Sequence, residues 1–199
     1  MAWGRARRGT SRRPGRAPPS RRRALGIPFP SLAERFERLE EVVQIALQMW
    51  RGDEAPWQGS HYQLLRPLNS PNSLQHPHPP ILIAGSGERK TLRLVARYGD
   101  MCNLFDLPGT GFADDLKHKL DVLRSHCEDA GRDYDAIEKT VSTFVEPDED
   151  RARVLSHLTE LAGLGISHAI VSPRRPWDEA TLDRVAAMVP DVHAIPSSG

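Results

Sequence analysis

The chain has 199 residues, with 27 basic and 26 acidic side chains and a mean hydropathy of −0.49. No window approaches the roughly 20 consecutive apolar residues that a membrane-spanning helix needs, so we expect no membrane partner. The two cysteines, Cys102 and Cys127, lack the spacing of a metal site or a disulfide framework and indicate reduced thiols in a cytoplasmic protein.

The near-neutral total conceals a basic tail over residues 1–23. This segment holds nine arginines and no acidic residue, so it carries about +9, whereas the other 18 basic and 26 acidic residues give residues 24–199 about −8. Its Gly, Pro and Ser content is typical of disordered chain. A basic arm could bind nucleic acid, and a transit peptide is a further interpretation. We favour a shifted reading frame or a misplaced start as the origin of this tail. Nucleic acid is therefore not an expected partner.

The first predicted helix begins beyond this tail and ends near Gly52. Ser31 and Glu34 form a capping-box pattern. Apolar residues follow at alternating spacings of four and three, which is typical of an amphipathic helix: Leu32, Phe36, Leu39, Val43, Ala46 and Trp50. Residues 59–65 are predicted to form a short strand or hairpin arm.

Residues 67–80 contain five prolines and are predicted to be an extended connection. His76 and His78 alternate with prolines there. A metal ion needs three or four converging ligands, and only His61 lies nearby, so we expect no metal site.

Four predicted strands then alternate with four predicted helices. The strands are residues 81–84, 101–105, 139–145 and 168–172, and the helices are 89–98, 112–130, 150–164 and 178–188. Short apolar runs separated by helical segments indicate a parallel sheet. The pattern alone fits half of a (β/α)8 barrel or an open doubly wound sheet. His168, in the last strand, is expected to be a satisfied core histidine.

The first of these strands ends in a glycine-rich turn made of Gly85, Ser86, Gly87 and Glu88. Glycine lets the backbone approach a ligand, and the first free N–H groups of the following helix point at it, so an anionic group such as phosphate is the expected guest. No Gly-Lys-Ser/Thr closes the turn, and Lys90 stands where a dinucleotide fingerprint has its third glycine. A turn that uses glycine for geometry alone is the alternative.

Further motifs accompany this turn in a fixed order. They are GIPFP at 26–30, ERFERLEE at 34–41, GSHY at 59–62, PPILI at 79–83, TLRLVARYGDMCNLF at 91–105 and IEKTVS at 137–142. Together they resemble the luciferase-like monooxygenase superfamily, and within it the branch that depends on the deazaflavin coenzyme F-420. The resemblance runs from about Arg23 to the C-terminus.

The resemblance implies a TIM barrel with the coenzyme phosphate on the backbone of the glycine-rich turn. A complete (β/α)8 barrel typically needs about 250 residues. We therefore expect an α/β fold in which residues 24–199 form an incomplete barrel, approximately its C-terminal (β/α)4 half. In such enzymes the ring-stacking and proton-handling residues come from the first half, so the catalytic residues stay unknown and the chain alone is expected to be inactive.

Ligands of such barrels lie at the C-terminal ends of the strands. Asn103 is a polar side chain in an apolar strand and is a candidate for the substrate pocket, unless neighbouring backbone satisfies it. Phe105 is a candidate pocket wall, with simple core packing as the alternative. Arg174 and Arg175 follow the last strand and are candidates to meet the acidic part of the coenzyme.

The function predicted from the sequence is hydride transfer between F-420 and an unknown organic substrate. A relative that uses flavin mononucleotide (FMN) with oxygen is the alternative, because the turn suits either phosphate. A remnant that binds no ligand, or a nucleic-acid-associated protein, would also fit the sequence. A half barrel exposes a strand edge and an apolar inner face, so we expect two copies to associate, or the chain to aggregate, through this open face.

Overall fold

The computed structural model describes residues 29–106, 112–146, 148–173 and 178–196. The basic tail and the arginines at 174 and 175 lie outside these ranges. The helices are α1 (Leu32–Trp50), α2 (Thr91–Tyr98), α3 (Phe112–Ala130), α4 (Arg151–Gly163), α5 (Glu179–Ala186) and α6 (Val189–His193), and the strands are β1 (Trp57–Gln58), β2 (Gln63–Leu64), β3 (Leu82–Ala84), β4 (Met101–Phe105), β5 (Glu138–Val145) and β6 (His168–Pro173).

Helix α1 begins where the capping pattern predicts. The Glu34 backbone N–H donates to Ser31 Oγ at 3.2 Å, which satisfies one of the free donors of the first turn. The reciprocal half of the capping box is replaced, because the Glu34 carboxylate accepts from Arg38 Nε at 2.9 Å. Leu32 and Leu39 remain exposed, so the apolar stripe of α1 is only partly covered.

The predicted hairpin forms directly after α1, since β1 and β2 pair in antiparallel fashion. Its turn lies on the Glu41 carboxylate of α1, which accepts hydrogen bonds from the backbone N–H groups of Ser60, His61 and Tyr62. These charge-assisted contacts attach the hairpin to the helix.

The main sheet has the order β3-β4-β5-β6, and each neighbouring pair is parallel. Alternating side chains point to opposite faces of such a sheet. One face packs under helices α2, α3 and α4 and forms the core, with the strand residues Ile83, Cys102, Leu104, Val141 and Val145 and the helix residues Leu92, Val95, Leu116, Leu123, Leu158 and Leu161.

The strand order decides between the two folds that the pattern allows. A doubly wound sheet reverses its order at a switch point and carries helices on both faces. Here the order is sequential and the helices cover one face, as in a barrel wall. The other face holds Leu82, Phe105 and Ile170, all exposed, so the prediction of a partial (β/α) barrel with an open inner face is confirmed.

Two details differ from the predicted elements. The last predicted helix corresponds to α5, and a further short helix that was not predicted, α6, follows it with Pro190 in its first turn, where the missing N–H is tolerated. The prediction of a core histidine at 168 is wrong: its side chain is 55% exposed and lies 3.7 Å from Glu138. It stands at the start of β6, next to the half-buried Ala169.

Candidate functional site

The glycine-rich turn lies between β3 and α2 and has a fixed backbone path. The Gly85 N–H donates to Asn103 O at 3.0 Å, which continues the pairing of β3 with β4. Gly85 has a φ of +128°, a conformation that residues with a Cβ rarely adopt. The Leu92 N–H donates to Gly87 O at 3.1 Å and closes the turn onto the helix.

Consecutive backbone amides of this turn are free. From Ser86 to Thr91, none of the N–H groups donates a hydrogen bond to any described part of the chain. A helix N-terminus leaves such donors unsatisfied and carries partial positive charge. The turn therefore offers a run of donors suited to the oxygens of an anion, as the sequence predicts.

Thr91 is a candidate that the sequence analysis missed. It is only 7% exposed, and its hydroxyl finds no hydrogen-bonding partner among the described residues. A Cβ on Gly87 would lie 2.8 Å from Thr91 Oγ1, and a Cβ on Gly85 would lie 3.3 Å from Thr91 Cγ2. The threonine side chain thus lies against both glycines, beside the free amides. A hydroxyl side chain four residues after the second glycine, in the first turn of the predicted helix, was the available signal.

The Glu88 side chain is directed away from the free amides. Its carboxylate pairs with Lys119 of α3, and this hydrogen bond, with the nearby charge, holds the Glu88 pKa below its usual value. Only the Glu88 backbone N–H is left for a ligand. The predicted binding role of residues 85–88 stays a prediction.

The two basic side chains next to the turn, Arg89 and Lys90, do not come together at the free amides. Lys90 Nζ lies 5.3 Å from the centre of the Phe36 ring, so this side chain packs on α1. Arg89 is exposed. The charge of a bound anion would therefore be met mainly by backbone dipoles.

The two predicted pocket residues lie on the inner face of β4, beside the turn. Ala84, the last residue of β3, pairs with Asn103. Asn103 Nδ2 donates to Ser142 Oγ at 3.0 Å, so a side chain, not backbone, satisfies this amide. The sheet thus brings the pocket candidates to the edge at which the glycine-rich turn begins.

Phe105 is 45% exposed and therefore not a core residue. Its ring meets that of Phe144 edge to face, with centroids 5.5 Å apart. Ser142 and Phe144 were missed by the sequence analysis, although their two-residue spacing in a predicted strand was the available signal. The inner face therefore carries a polar pair and an aromatic pair side by side.

Two of the three histidines considered for a metal site, His78 and His61, have structural partners. His78 stacks on Trp50 with ring centroids 5.5 Å apart, and His61 Nε2 lies 3.0 Å from Glu37 Oε2. Within the described ranges, no three His, Cys, Asp or Glu side chains lie together as a metal site would require. No described helix combines the length and the apolar character that crossing a bilayer requires.

Comparison with known proteins gives a family match over most of the chain. The family described as luciferase-like monooxygenase matches residues 14–192. An F-420-dependent glucose-6-phosphate dehydrogenase from Kineococcus radiotolerans is 27% identical over 173 residues, which cover 82% of this chain and 49% of that protein. The chain spans about half the length of the curated relatives it matches.

Solved structures share the fold. An F-420-dependent secondary alcohol dehydrogenase in complex with an F-420-acetone adduct superposes with a TM-score of 0.71 at 16% identity, covering 83% of this chain and 64% of that one. A riboflavin lyase with modified FMN and riboflavin gives a TM-score of 0.54 at 15% identity, covering 73% and 36%. At these identities the likeness concerns the fold alone.

Proposed function

The chain belongs to the luciferase-like monooxygenase family, and on this premise we propose that it binds the phosphate of coenzyme F-420 at the glycine-rich turn. The wider proposal is an oxidoreductase that transfers a hydride between F-420 and an organic substrate. Curated relatives named as F-420-dependent glucose-6-phosphate dehydrogenases support this choice of coenzyme. The observation that carries the proposal is the run of free amides from Ser86 to Thr91.

The residues present fit a phosphate group. A phosphate offers several acceptor oxygens, and the turn offers consecutive N–H donors together with the Thr91 hydroxyl, which has no hydrogen-bonding partner in the part of the chain that the structure describes. The partial positive charge of the α2 N-terminus favours an anion there. The only carboxylate within the turn, that of Glu88, is held by Lys119, so its repulsion of a bound anion is reduced.

The inner face of the sheet fits the organic part of a coenzyme or substrate. Phe105 and Phe144 provide an apolar wall next to the polar pair Asn103 and Ser142. F-420 supplies the hydride chemistry when it is bound, while the protein binds, orients and excludes water. We assign the turn to phosphate binding and the inner face to orientation, and no residue of this chain is assigned a proton-transfer role.

FMN is the second candidate coenzyme. It also carries a phosphate, and a structure with modified FMN shares this fold. Backbone amides recognise the phosphate and do not distinguish the ring system attached to it. The choice between F-420 and FMN therefore rests on contacts with the ring.

Fluorescence titration of the purified chain with F-420, and separately with FMN, tests the proposal. We expect F-420 to bind more tightly than FMN and inorganic phosphate to compete with it. If neither chromophore binds, the proposed function is wrong. Tighter binding of FMN would move the assignment to the second candidate. Because the chain spans about half of its relatives, we expect coenzyme binding without substrate turnover.

A further inference from the structure

We propose that helix α3 positions the phosphate-binding turn through two side chains, His126 and Lys119, which both hold Glu88. This inference rests on the proposed function, because it concerns how the same turn is prepared for an anion. His126 and Lys119 are positioning residues: they touch the turn and not the phosphate. The two contacts act on different parts of Glu88, one on its backbone carbonyl and one on its carboxylate.

His126 fixes the backbone of the turn. Its Nε2 lies 2.8 Å from the carbonyl oxygen of Glu88. A carbonyl only accepts hydrogen bonds, so Nε2 carries the proton and donates. The two residues are 38 positions apart in the sequence, and the contact therefore joins the turn to a neighbouring helix.

The orientation of the Glu88 carbonyl decides where the next amide points. In a planar trans peptide the C=O of one residue and the N–H of the next point in opposite directions. Since the Glu88 carbonyl is directed at α3, the Arg89 N–H is directed away from α3. His126 thereby holds one of the free donors in the direction in which an anion would be bound.

Gly87 shows the same arrangement one residue earlier. Its carbonyl accepts from the Leu92 N–H at 3.1 Å, which directs the Glu88 N–H away from the helix. Two successive peptide planes are thus fixed, one by α2 and one by α3. This is the preorganisation that a backbone anion site needs, because amides that rotate freely lose entropy on binding.

Lys119 controls the charge of the turn. Its ammonium group pairs with the Glu88 carboxylate and is itself held by Asp115 Oδ1 at 3.3 Å. His118 Nε2 lies 3.5 Å from the same carboxylate. Without Lys119 the Glu88 carboxylate would be less neutralised and free to approach the donors, where it would repel a phosphate or bind the amides itself.

Titration of the 15N-labelled chain with inorganic phosphate tests this role, with the amide resonances of residues 86–91 as the readout. We expect His126→Ala to raise the dissociation constant for phosphate about fivefold, the usual effect of one lost hydrogen bond. The Arg89 amide should lose most of its phosphate-induced shift. His126→Gln keeps an N–H donor and should recover much of the affinity. His168→Ala, an exposed histidine on β6, serves as the matched control and should bind as the wild type does.

A second pair of variants keeps the inference testable if His126→Ala does not fold. Lys119→Met should weaken phosphate binding, and addition of Glu88→Gln should restore it, because the repelling carboxylate is then absent. A purely structural role for Lys119 predicts no such recovery.

The possible failures are distinguishable. Folded His126→Ala and Lys119→Met variants with wild-type affinity for phosphate would overturn the positioning role and leave the proposed function intact. A wild-type chain whose turn amides do not respond to phosphate would overturn both.

Discussion

Two glycines and a threonine define the candidate site at the scale of single residues. Gly85 is required because its backbone has a positive φ, and Gly87 because Thr91 Oγ1 occupies the space of a side chain. The sequence predicts that these glycines form a turn suited to an anionic group. It does not predict that a buried threonine packs against both, since this contact depends on the direction in which α2 leaves the turn.

Gly87→Ala tests this packing. The added methyl group would lie 2.8 Å from Thr91 Oγ1 and would force the threonine to move. We expect about tenfold weaker binding of F-420, equivalent to about 1.4 kcal/mol, measured by fluorescence titration. Gly163→Ala is the matched control, because nothing lies within 4 Å of the added methyl group there. Equal effects of the two variants would argue against the assigned role of Thr91.

A partly buried ion pair on the opposite face of the sheet, between Asp106 and His157, has no counterpart in the sequence analysis. Asp106 follows β4 and is buried, and its carboxylate accepts from Thr143 Oγ1 at 2.8 Å and lies 2.6 Å from His157 Nε2. The hydrogen bond between His157 and Asp106 is the main reason why the His157 pKa is raised. Burial favours a higher Asp106 pKa, but the bonds from His157 and Thr143 outweigh it and lower the pKa.

The signs of these shifts predict a pH window for stability. Because the His157 pKa is raised, the charged imidazole stabilises the fold fully below the ordinary histidine pKa of about 6.5, and this stabilisation is lost as the pH rises through the folded-state pKa. Because the Asp106 pKa is lowered, the charged carboxylate stabilises the fold above its ordinary pKa of about 4, and this stabilisation is lost as the pH falls through the folded-state pKa. We expect His157→Ala to cost about 2 kcal/mol at pH 5.5 in urea unfolding and distinctly less at pH 9. His168→Ala, with an exposed imidazole, should cost little at either pH. A cost of His157→Ala that is independent of pH would contradict the charged pair.

At the scale of elements, the sequence predicts the helices and parallel strands because each buries a periodic apolar face. Contacts between elements are harder to predict from the sequence. Pro190 lies in the first turn of α6, a helix that lies beyond the predicted elements. The partners of Glu88 lie more than 30 residues away, and no local pattern predicts such pairings. Glu41 is a third example, since nothing in the local sequence of α1 indicates that this carboxylate contacts the hairpin turn.

Glu41 is expected to control the turn between β1 and β2. Burial favours a higher Glu41 pKa, but the amides of His61, Ser60 and Tyr62 outweigh it and lower the pKa. We predict that Glu41→Gln speeds hydrogen exchange at these three amides about tenfold, because a neutral amide is a weaker acceptor. Glu37→Gln is the control, since Glu37 contacts only the ring of His61 in this turn. Unchanged exchange in Glu41→Gln would show that the hairpin holds its turn without the helix.

At the scale of the whole molecule, the open inner face of the sheet is the main consequence of the fold. The family resemblance predicts the four-stranded barrel wall, and the structure confirms it. Leu82, Phe105 and Ile170 expose apolar surface on this face. Association of two copies through the face, expected from the sequence, stays a prediction.

Sedimentation velocity over a range of protein concentrations tests the association. We expect the wild-type chain to self-associate, since several exposed apolar side chains on one face of a sheet favour burial against another surface. Ile170→Asp should shift the chain towards the monomer. Leu74→Asp is the matched control, because Leu74 is 96% exposed and lies in the proline-rich connection, not in the sheet. A wild-type chain that stays monomeric at every concentration would refute the prediction.

The free amides between Ser86 and Thr91 also bear on how such a protein can diverge. Main-chain donors are common to all residues except proline, so exchanging Ser86, Arg89 or Lys90 for other amino acids leaves the same donors in place. A systematic alanine scan would therefore leave most of these free amides in place and would not detect their role. If the proposed coenzyme binding holds, lineages can change their side chains and their reactants while they keep the same main-chain donors for the phosphate.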